Sequence, residues 1–186
     1  MEVIETEISD VKLIIPSIFY DSRGFFLETY HFDRYASNGI SQTFLQDNLS
    51  SSRYGVIRGL HLQNPNPQGK LVYVIQGEVF DVAIDLRLHS PTFGKWVGVF
   101  LSEQNKHQLW IPKGFAHGFC VTSENAVVAY KCTDIYDQKS EISLRWNDPA
   151  LGINWPIDHP ILSEKDAQAP LLADIDHSRF LRYESE

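Results

Sequence analysis

Apolar and polar residues alternate with a period of two along the middle of the chain, a pattern typical of β-strands. In residues 79–86, VFDVAIDL, every second position from Phe80 to Leu86 is large and apolar. The positions between them include Asp81 and Asp85, so the two faces of this segment differ in polarity. The alternation therefore predicts a strand whose two faces meet different surroundings.

The stretch from Lys70 to Leu86 predicts two strands, with a turn at Gly77-Glu78. Similar short segments follow, separated by Gly, Ser, Asn or Pro: KWVGVFLS, HQLWIP, GFCVTS and AVVAYKCTDIYD. Many short strands at this spacing favour a β-sandwich or barrel over alternating strands and helices. Helix signals are limited to residues 31–39 and to one turn that begins at Ser163 and ends near Pro170. We predict a single all-β domain over residues 1–186 with a few short helices and a polar tail from about residue 174.

Composition excludes several classes of partner. The chain has 186 residues, and its 16 Lys and Arg against 24 Asp and Glu give a net charge of −8. An acidic chain lacks the basic field that binds nucleic acid or anionic lipid, so we expect neither partner. No apolar run approaches the roughly 18 residues of a membrane span. Cys120 and Cys132 lack the spacing of a zinc or redox motif, and the N-terminus lacks the basic start of a secretion signal. We therefore predict reduced thiols and a cytoplasmic location.

The segment RGLHLQ carries the first candidate for chemistry. Strict alternation places Arg58 on the same face as the leucines and places His61 on the opposite face with Gly59 and Gln63. A single histidine on a strand is more often a core residue with one hydrogen bond than a catalytic group. The residues of this segment alone leave both interpretations open.

A second motif lies in IPKGFAHGF, where Pro112, Gly114 and His117 form a PxGxxH pattern. This pattern resembles the second motif of the cupin superfamily, whose fold is the double-stranded β-helix, or jelly roll. Metal-binding cupins supply two more histidines from a first His-x-His motif, but here the residue two positions after His61 is Gln63. Amides are poor ligands for transition metals, so we predict a metal-free pocket. No GxGxxG motif follows a predicted strand, and we predict no nucleotide cofactor.

Most of the chain resembles the dTDP-4-dehydrorhamnose 3,5-epimerase family, which makes dTDP-4-keto-L-rhamnose. The matching segments are DSRGFFLETY (21–30), FLQDNLS (44–50), GVIRGLHLQ (55–63), QGKLVYVIQGEVFDVAIDLR (68–87), SPTFGKWVG (90–98), LWIPKGFAHGF (109–119), RWNDPALGINWP (145–156) and ILSEKDAQAPLL (161–172). A match of this extent is far more specific than the PxGxxH motif. The resemblance implies an all-β, cupin-like jelly roll and an isomerase that acts on a dTDP-keto-sugar.

The resemblance also implies a role for each of four catalytic residues. Epimerisation beside a ketone needs a base on one face of the sugar, an acid on the other, and a group that stabilises the enolate between the two steps. By resemblance His61 is the base and Tyr130 is the acid. Asp166 orients the imidazole, and Lys70 stabilises the enolate oxygen.

Other polar residues are implied to bind the substrate, and Tyr136 is implied to stack on the thymine. The full set is Arg23, Glu28, Gln46, Asp47, Asn48, Arg58, Lys70, His117, Tyr136, Glu141 and Lys165. The resemblance further implies a homodimer in which an N-terminal strand crosses to the partner.

Three alternatives stay open at this point. A close relative that inverts only C3 or only C5 would share the pocket. A jelly roll that binds a sugar nucleotide without chemistry would be expected to lack the base or the acid, and His61 and Tyr130 are both present. A metal-dependent cupin is the third alternative.

Overall fold

The computed structural model describes residues 1–184, which form two antiparallel β-sheets, a separate hairpin and short helices. The strands are β1 Glu2–Glu5, β2 Lys12–Ile15, β3 Ile18–Asp21, β4 Gly24–Leu27, β5 Gln46–Arg53, β6 Ile57–Gln63, β7 Lys70–Gln76, β8 Glu78–Asp85, β9 Trp96–Ser102, β10 Gln108–Ile111, β11 Phe115–Val121, β12 Asn125–Cys132 and β13 Glu141–Ser143. The helices are α1 Phe32–Ala36 and α2 Glu164–Ala167, with 3₁₀ turns at Leu172–Asp174 and His177–Arg179.

The strands are arranged as the jelly roll that the sequence predicts. The six-stranded sheet has the order β1-β2-β10-β7-β12-β5, and the five-stranded sheet has the order β13-β6-β11-β8-β9. Strands β3 and β4 form the separate hairpin. Strand β1 pairs with β2 of the same chain and ends its sheet, so the crossing of this strand to a partner is not seen in the single chain.

The two faces of β8 are buried in two different cores, as its alternation predicts. Val79 and Ala83 pack in a core that contains apolar residues from both sheets. Phe80 and Leu86 pack in a second core, which also holds residues of β6 and of the chain after β13. Each Å² of buried apolar surface stabilises the folded state by about 25 cal/mol. These two cores are therefore the main source of stability.

The turn at Gly77 has a different role from the one its sequence suggests. A short Gly turn between two strands normally predicts a hairpin, but β7 and β8 do not pair with each other. β7 pairs with β10 and β12, whereas β8 pairs with β11 and β9. The chain therefore passes from one sheet to the other at Gly77, which has φ +77°. Local pattern predicts the turn but not the sheet that follows it.

Both predicted helices are present, and the tail is more than a polar segment. α1 is shorter than the predicted segment 31–39, and Ser163 caps α2 by accepting a 3.1 Å hydrogen bond from the Asp166 N–H. After residue 174, for which the sequence predicts only a polar tail, Phe180 is 3% exposed and packs against Phe93. Apolar residues isolated among polar ones give no periodic signal, so the sequence does not indicate this contact.

Two further predictions concern the thiols and the membrane. Cys120 and Cys132 are both free and buried, in agreement with the expected reduced state. None of the helices in residues 1–184 has the length and apolar content that a membrane span requires.

Candidate active site

A cavity of about 550 Å³ lies between the two sheets and is closed on one side by the segment around α2. Its lining residues come from β5, β6, β7, β11, β12 and residues 161–166: Ser50, Val56, Ile57, Arg58, His61, Lys70, His117, Phe119, Tyr130, Ile161, Leu162, Ser163, Lys165 and Asp166. Most of the titratable residues proposed from the sequence thus meet in one cavity.

A bulge in β6 brings Arg58 and His61 to the same side. His117 of β11 pairs with His61, but Phe119, two residues later, pairs with Arg58, three residues earlier. The extra residue in β6 is a β-bulge, and it breaks the strict alternation that places Arg58 opposite His61. Gly59 in the bulge has φ +112°, and a Cβ there would lie 2.6 Å from the Cα of Gly118. Only glycine fits this position, so the bulge is specified by the sequence although its register is not.

His61 forms a hydrogen-bonded dyad with Asp166. The His61 Nε2 lies 2.6 Å from the Asp166 Oδ1, and the Asp166 side chain is 5% exposed. Burial alone would raise the pKa of this carboxyl, but the hydrogen bond and charge of His61 outweigh burial and hold the pKa below its ordinary value. Because the ionised carboxylate accepts a hydrogen bond from Nε2, Nδ1 is the ring nitrogen that can take a proton from a substrate. The Oε1 of Glu141 lies 3.9 Å from this Nδ1.

A second histidine–carboxylate pair lies beside the first one. The His117 Nε2 is 3.0 Å and 2.9 Å from the two carboxylate oxygens of Asp81, which is fully buried. Burial lowers the pKa of His117, against the attraction of Asp81. Sequence reasoning missed Asp81 as a site residue. The available signal was a carboxylate between Val79 and Ala83, two apolar buried residues on the same face of β8.

Lys70 and Tyr130 extend into the cavity from the six-stranded sheet. Burial lowers the pKa of Lys70, and the neighbouring Cys132, Asp81 and Glu141 oppose that shift. Burial raises the pKa of Tyr130, which keeps its phenol protonated at neutral pH. His61 belongs to the five-stranded sheet, so it and Tyr130 lie on walls contributed by different sheets.

The model of one protein family matches residues 5–174 and carries the description dTDP-4-dehydrorhamnose 3,5-epimerase. The chain belongs to this epimerase family. Family membership confirms the resemblance drawn from the sequence segments and agrees with the jelly-roll fold.

Individual relatives agree with this assignment. A dTDP-4-dehydrorhamnose 3,5-epimerase of Salmonella typhimurium is 55% identical over 175 residues, which is 92% of this chain and 96% of the relative. A Neisseria gonorrhoeae protein of the same name is 54% identical over 96% of this chain, which spans only 55% of that longer relative. A crystal structure of dTDP-6-deoxy-D-glucose-3,5-epimerase from Legionella pneumophila, in complex with dTDP-4-keto-L-rhamnose, has a TM-score of 0.97, 54% identity and 99% coverage of both chains.

Several of the predicted site residues are joined by hydrogen bonds beside Lys165, which lines the cavity. Lys165 donates hydrogen bonds of 2.9 and 3.0 Å to the carboxylate of Glu141, and the Tyr136 hydroxyl donates to the same carboxylate at 3.1 Å. Tyr136 is 51% exposed, so its ring is open to a ligand. Its backbone N–H donates to the Gln46 side chain at 2.8 Å, and Gln46 donates to Asn48 at 2.9 Å.

Seven predicted site residues are absent from the cavity lining: Arg23, Glu28, Gln46, Asp47, Asn48, Tyr136 and Glu141. Arg23 pairs with Asp21 at 2.6 Å, and Glu28 pairs with Arg34 at 2.8 Å, both on the exposed side of the molecule. Asp47 of β5 pairs with Lys131 at 3.0 Å. Strand alternation explains Asp47, because Asn48 beside it in sequence has the opposite orientation.

Gln63 stands where metal-binding cupins have the second histidine of their first motif. Its amide donates to the carbonyls of Asn66 and Ile135 at 2.6 and 3.0 Å. Within residues 1–184, no group of three or more His, Cys, Asp or Glu side chains has the arrangement of a metal site.

Proposed function

We propose that this chain is a dTDP-4-dehydrorhamnose 3,5-epimerase, which converts dTDP-4-keto-6-deoxy-D-glucose into dTDP-4-keto-L-rhamnose. The observation that carries the proposal is that the His61–Asp166 dyad and Tyr130 line one cavity and belong to different sheets. A sugar ring between them has a base on one face and an acid on the other, as inversion requires.

In the first step His61 removes a proton from the carbon next to the C4 ketone. The electron pair of the broken C–H bond forms a carbon–carbon double bond, and the negative charge moves to the ketone oxygen. The imidazolium that forms is stabilised by the Asp166 carboxylate at 2.6 Å. The ammonium of Lys70 stabilises the negative charge on the enolate oxygen.

In the second step Tyr130 donates its phenolic proton to the same carbon from the opposite face, and the ketone re-forms. The raised pKa of Tyr130 keeps this proton in place until the enolate requires it. Water then takes the proton from the His61 imidazolium and returns one to the Tyr130 phenolate. The same two steps at the second carbon, C3 or C5, complete the reaction. Atoms and electrons balance without an oxidant, so the mechanism uses no cofactor.

The rest of the substrate is assigned to residues in and beside the cavity. Tyr136 stacks on the thymine, and Gln46 and Asn48 offer amides at the nucleotide and sugar end. Arg58, held by a 2.9 Å hydrogen bond from its Nε to the Ser52 hydroxyl, binds the diphosphate. Glu141, Lys165 and His117 complete the pocket; by strand position the Asp47 side chain lies outside it.

Proton NMR in deuterated water tests this function. The protein is incubated with dTDP-4-keto-6-deoxy-D-glucose and EDTA, and no NAD is added. We expect deuterium at both C3 and C5 together with the L-lyxo product. Deuterium at a single carbon would indicate a C3-only or C5-only epimerase, and nucleotide binding without exchange would indicate a binding protein. Activity that is lost with EDTA and restored by a metal would contradict the metal-free mechanism.

The charge of Lys70 predicts the alkaline limit of activity. The ammonium is the active form, and burial places its pKa below the ordinary 10.5, so kcat/KM should fall as pH rises through this lowered pKa. Lys70→Arg keeps its charge at any accessible pH. We expect this variant to have a lower kcat than the wild type and an alkaline limit that is shifted to higher pH. An unchanged alkaline limit in Lys70→Arg would show that another group sets it.

We also propose that the enzyme is a homodimer whose hairpins complete the sites. Phe19, Tyr20, Phe25 and Phe26 of hairpin β3–β4 are each more than half exposed, an apolar surface typical of an interface. The turn of this hairpin carries Arg23, which does not reach the cavity of its own chain. Docking of the hairpin on a second copy would bring Arg23 and the nearby Glu28 to the partner's substrate. Light scattering should give a dimeric mass for the wild type, and a monomeric mass would contradict the proposal.

We place the enzyme in the cytoplasm. Its two cysteines are free, as is typical of proteins in reducing compartments. Recovery of the protein in a secreted or membrane fraction of its native cells would contradict this placement.

A further inference from the structure

Four polar residues of β5 face the interior: Gln46, Asn48, Ser50 and Ser52 alternate with exposed residues along the strand. Three of them have hydrogen-bond partners. Gln46 and Asn48 bond to each other, and Ser52 accepts from Arg58. The Ser50 hydroxyl is buried and has no partner within residues 1–184, although Ser50 lines the active-site cavity.

A buried hydroxyl without a partner destabilises the folded protein relative to a paired one. An alanine at this position would avoid the cost, because the residue opposite Ser50 in β12 is the apolar Val128. A native structure keeps such a group where a ligand or a water completes its hydrogen bonds. Because Ser50 lines the cavity, its hydroxyl can contact a ligand bound there.

The position of Ser50 along β5 indicates which part of a ligand it meets. Ser52, two residues further on, holds the exposed Arg58 at the open end of the cavity. Asn48, two residues earlier, pairs with Tyr130 in the neighbouring strand. Residues two apart on one strand face are separated by roughly 6–7 Å. Ser50 therefore lies between the group assigned to the diphosphate and the group assigned to the sugar.

We propose that the Ser50 hydroxyl donates a hydrogen bond to the phosphate that carries the sugar. The inference rests on the proposed function, since it takes a dTDP-sugar as the ligand. Phosphate oxygens are strong acceptors, and hydrogen bonds to charged groups are about twice as strong as neutral ones. The bond transfers no proton, and it fixes the sugar end of the nucleotide relative to His61 and Tyr130.

The test is calorimetric titration of the full-length protein with dTDP and with dTMP, which lacks the sugar-bearing phosphate. We expect Ser50→Ala to weaken dTDP binding about tenfold and to leave dTMP binding within about twofold. Ser51→Ala is the matched control, since this exposed neighbour contributes only its backbone carbonyl to Arg58, and it should change neither affinity. Retained dTMP binding also shows that the Ser50→Ala variant is folded.

Two outcomes would overturn the inference. Equal dTDP affinity in Ser50→Ala and wild type would exclude a phosphate contact, even if KM for the complete substrate rose through a contact to the sugar. An equal loss of dTDP and dTMP binding would place the effect at the nucleoside rather than at the terminal phosphate. Wild-type protein that binds neither nucleotide would overturn the proposed function as well, which distinguishes the two failures.

Discussion

His61→Ala is expected to lower kcat by about two to four orders of magnitude, the range that a positioned general base contributes. The dyad explains the size of the effect, because the Asp166 carboxylate lies 2.6 Å from the imidazole and its backbone N–H is held by the Ser163 cap of α2. The dissociation constant of dTDP should change by less than about twofold, since a base acts on the sugar in the transition state.

The control for this variant is His159→Ala, which removes an exposed histidine outside the cavity. Turnover and dTDP affinity should both stay at the wild-type level. If His61→Ala retained near wild-type turnover, the base would have to be another group. His117, paired with the buried Asp81 in the same cavity, would then be the first to examine.

Tyr130→Phe is expected to separate the two proton transfers. The variant keeps the base, so in deuterated water His61 should still exchange the acidic carbon-bound protons and return deuterium to the original face. Inversion requires a proton from the other face, and product formation should fall by about 10²- to 10³-fold. NMR would show deuterium in unreacted D-sugar with little L-sugar formed.

Tyr54→Phe is a suitable control, because Tyr54 is 55% exposed and does not line the cavity. This variant should make product at the wild-type rate. A Tyr130→Phe variant that lost exchange and inversion in parallel would argue against the role of the phenol as the acid. Wild-type product formation by Tyr130→Phe would do so directly.

The local pattern predicted what depends on neighbouring residues in sequence. Alternation identified β8 and its two faces, and Ser163 marked the start of the helix that positions Asp166. Asp166 and Tyr130 were predicted only through the resemblance to the epimerase family. No local pattern connects them with His61, which lies 105 residues from Asp166.

Features that depend on pairing between distant strands were missed. The bulge at Gly59 follows from the register of β6 against β11, which no residue of β6 shows by itself. The pairing of Asp81 with His117 joins residues 36 positions apart. The sheet change at Gly77 and the packing of Phe180 depend likewise on partners elsewhere in the chain.

The spacing between the two sheets affects the stereochemistry of the product. Under the proposed roles, the distance from His61 to Tyr130 depends on the apolar residues packed between the sheets, such as Val72, Val128 and Phe119. Truncating one of these residues would change the gap that a flat enediolate must fill. The first symptom of a loosened core would then be a mixture of inverted and retained sugars, appearing while nucleotide binding was still intact.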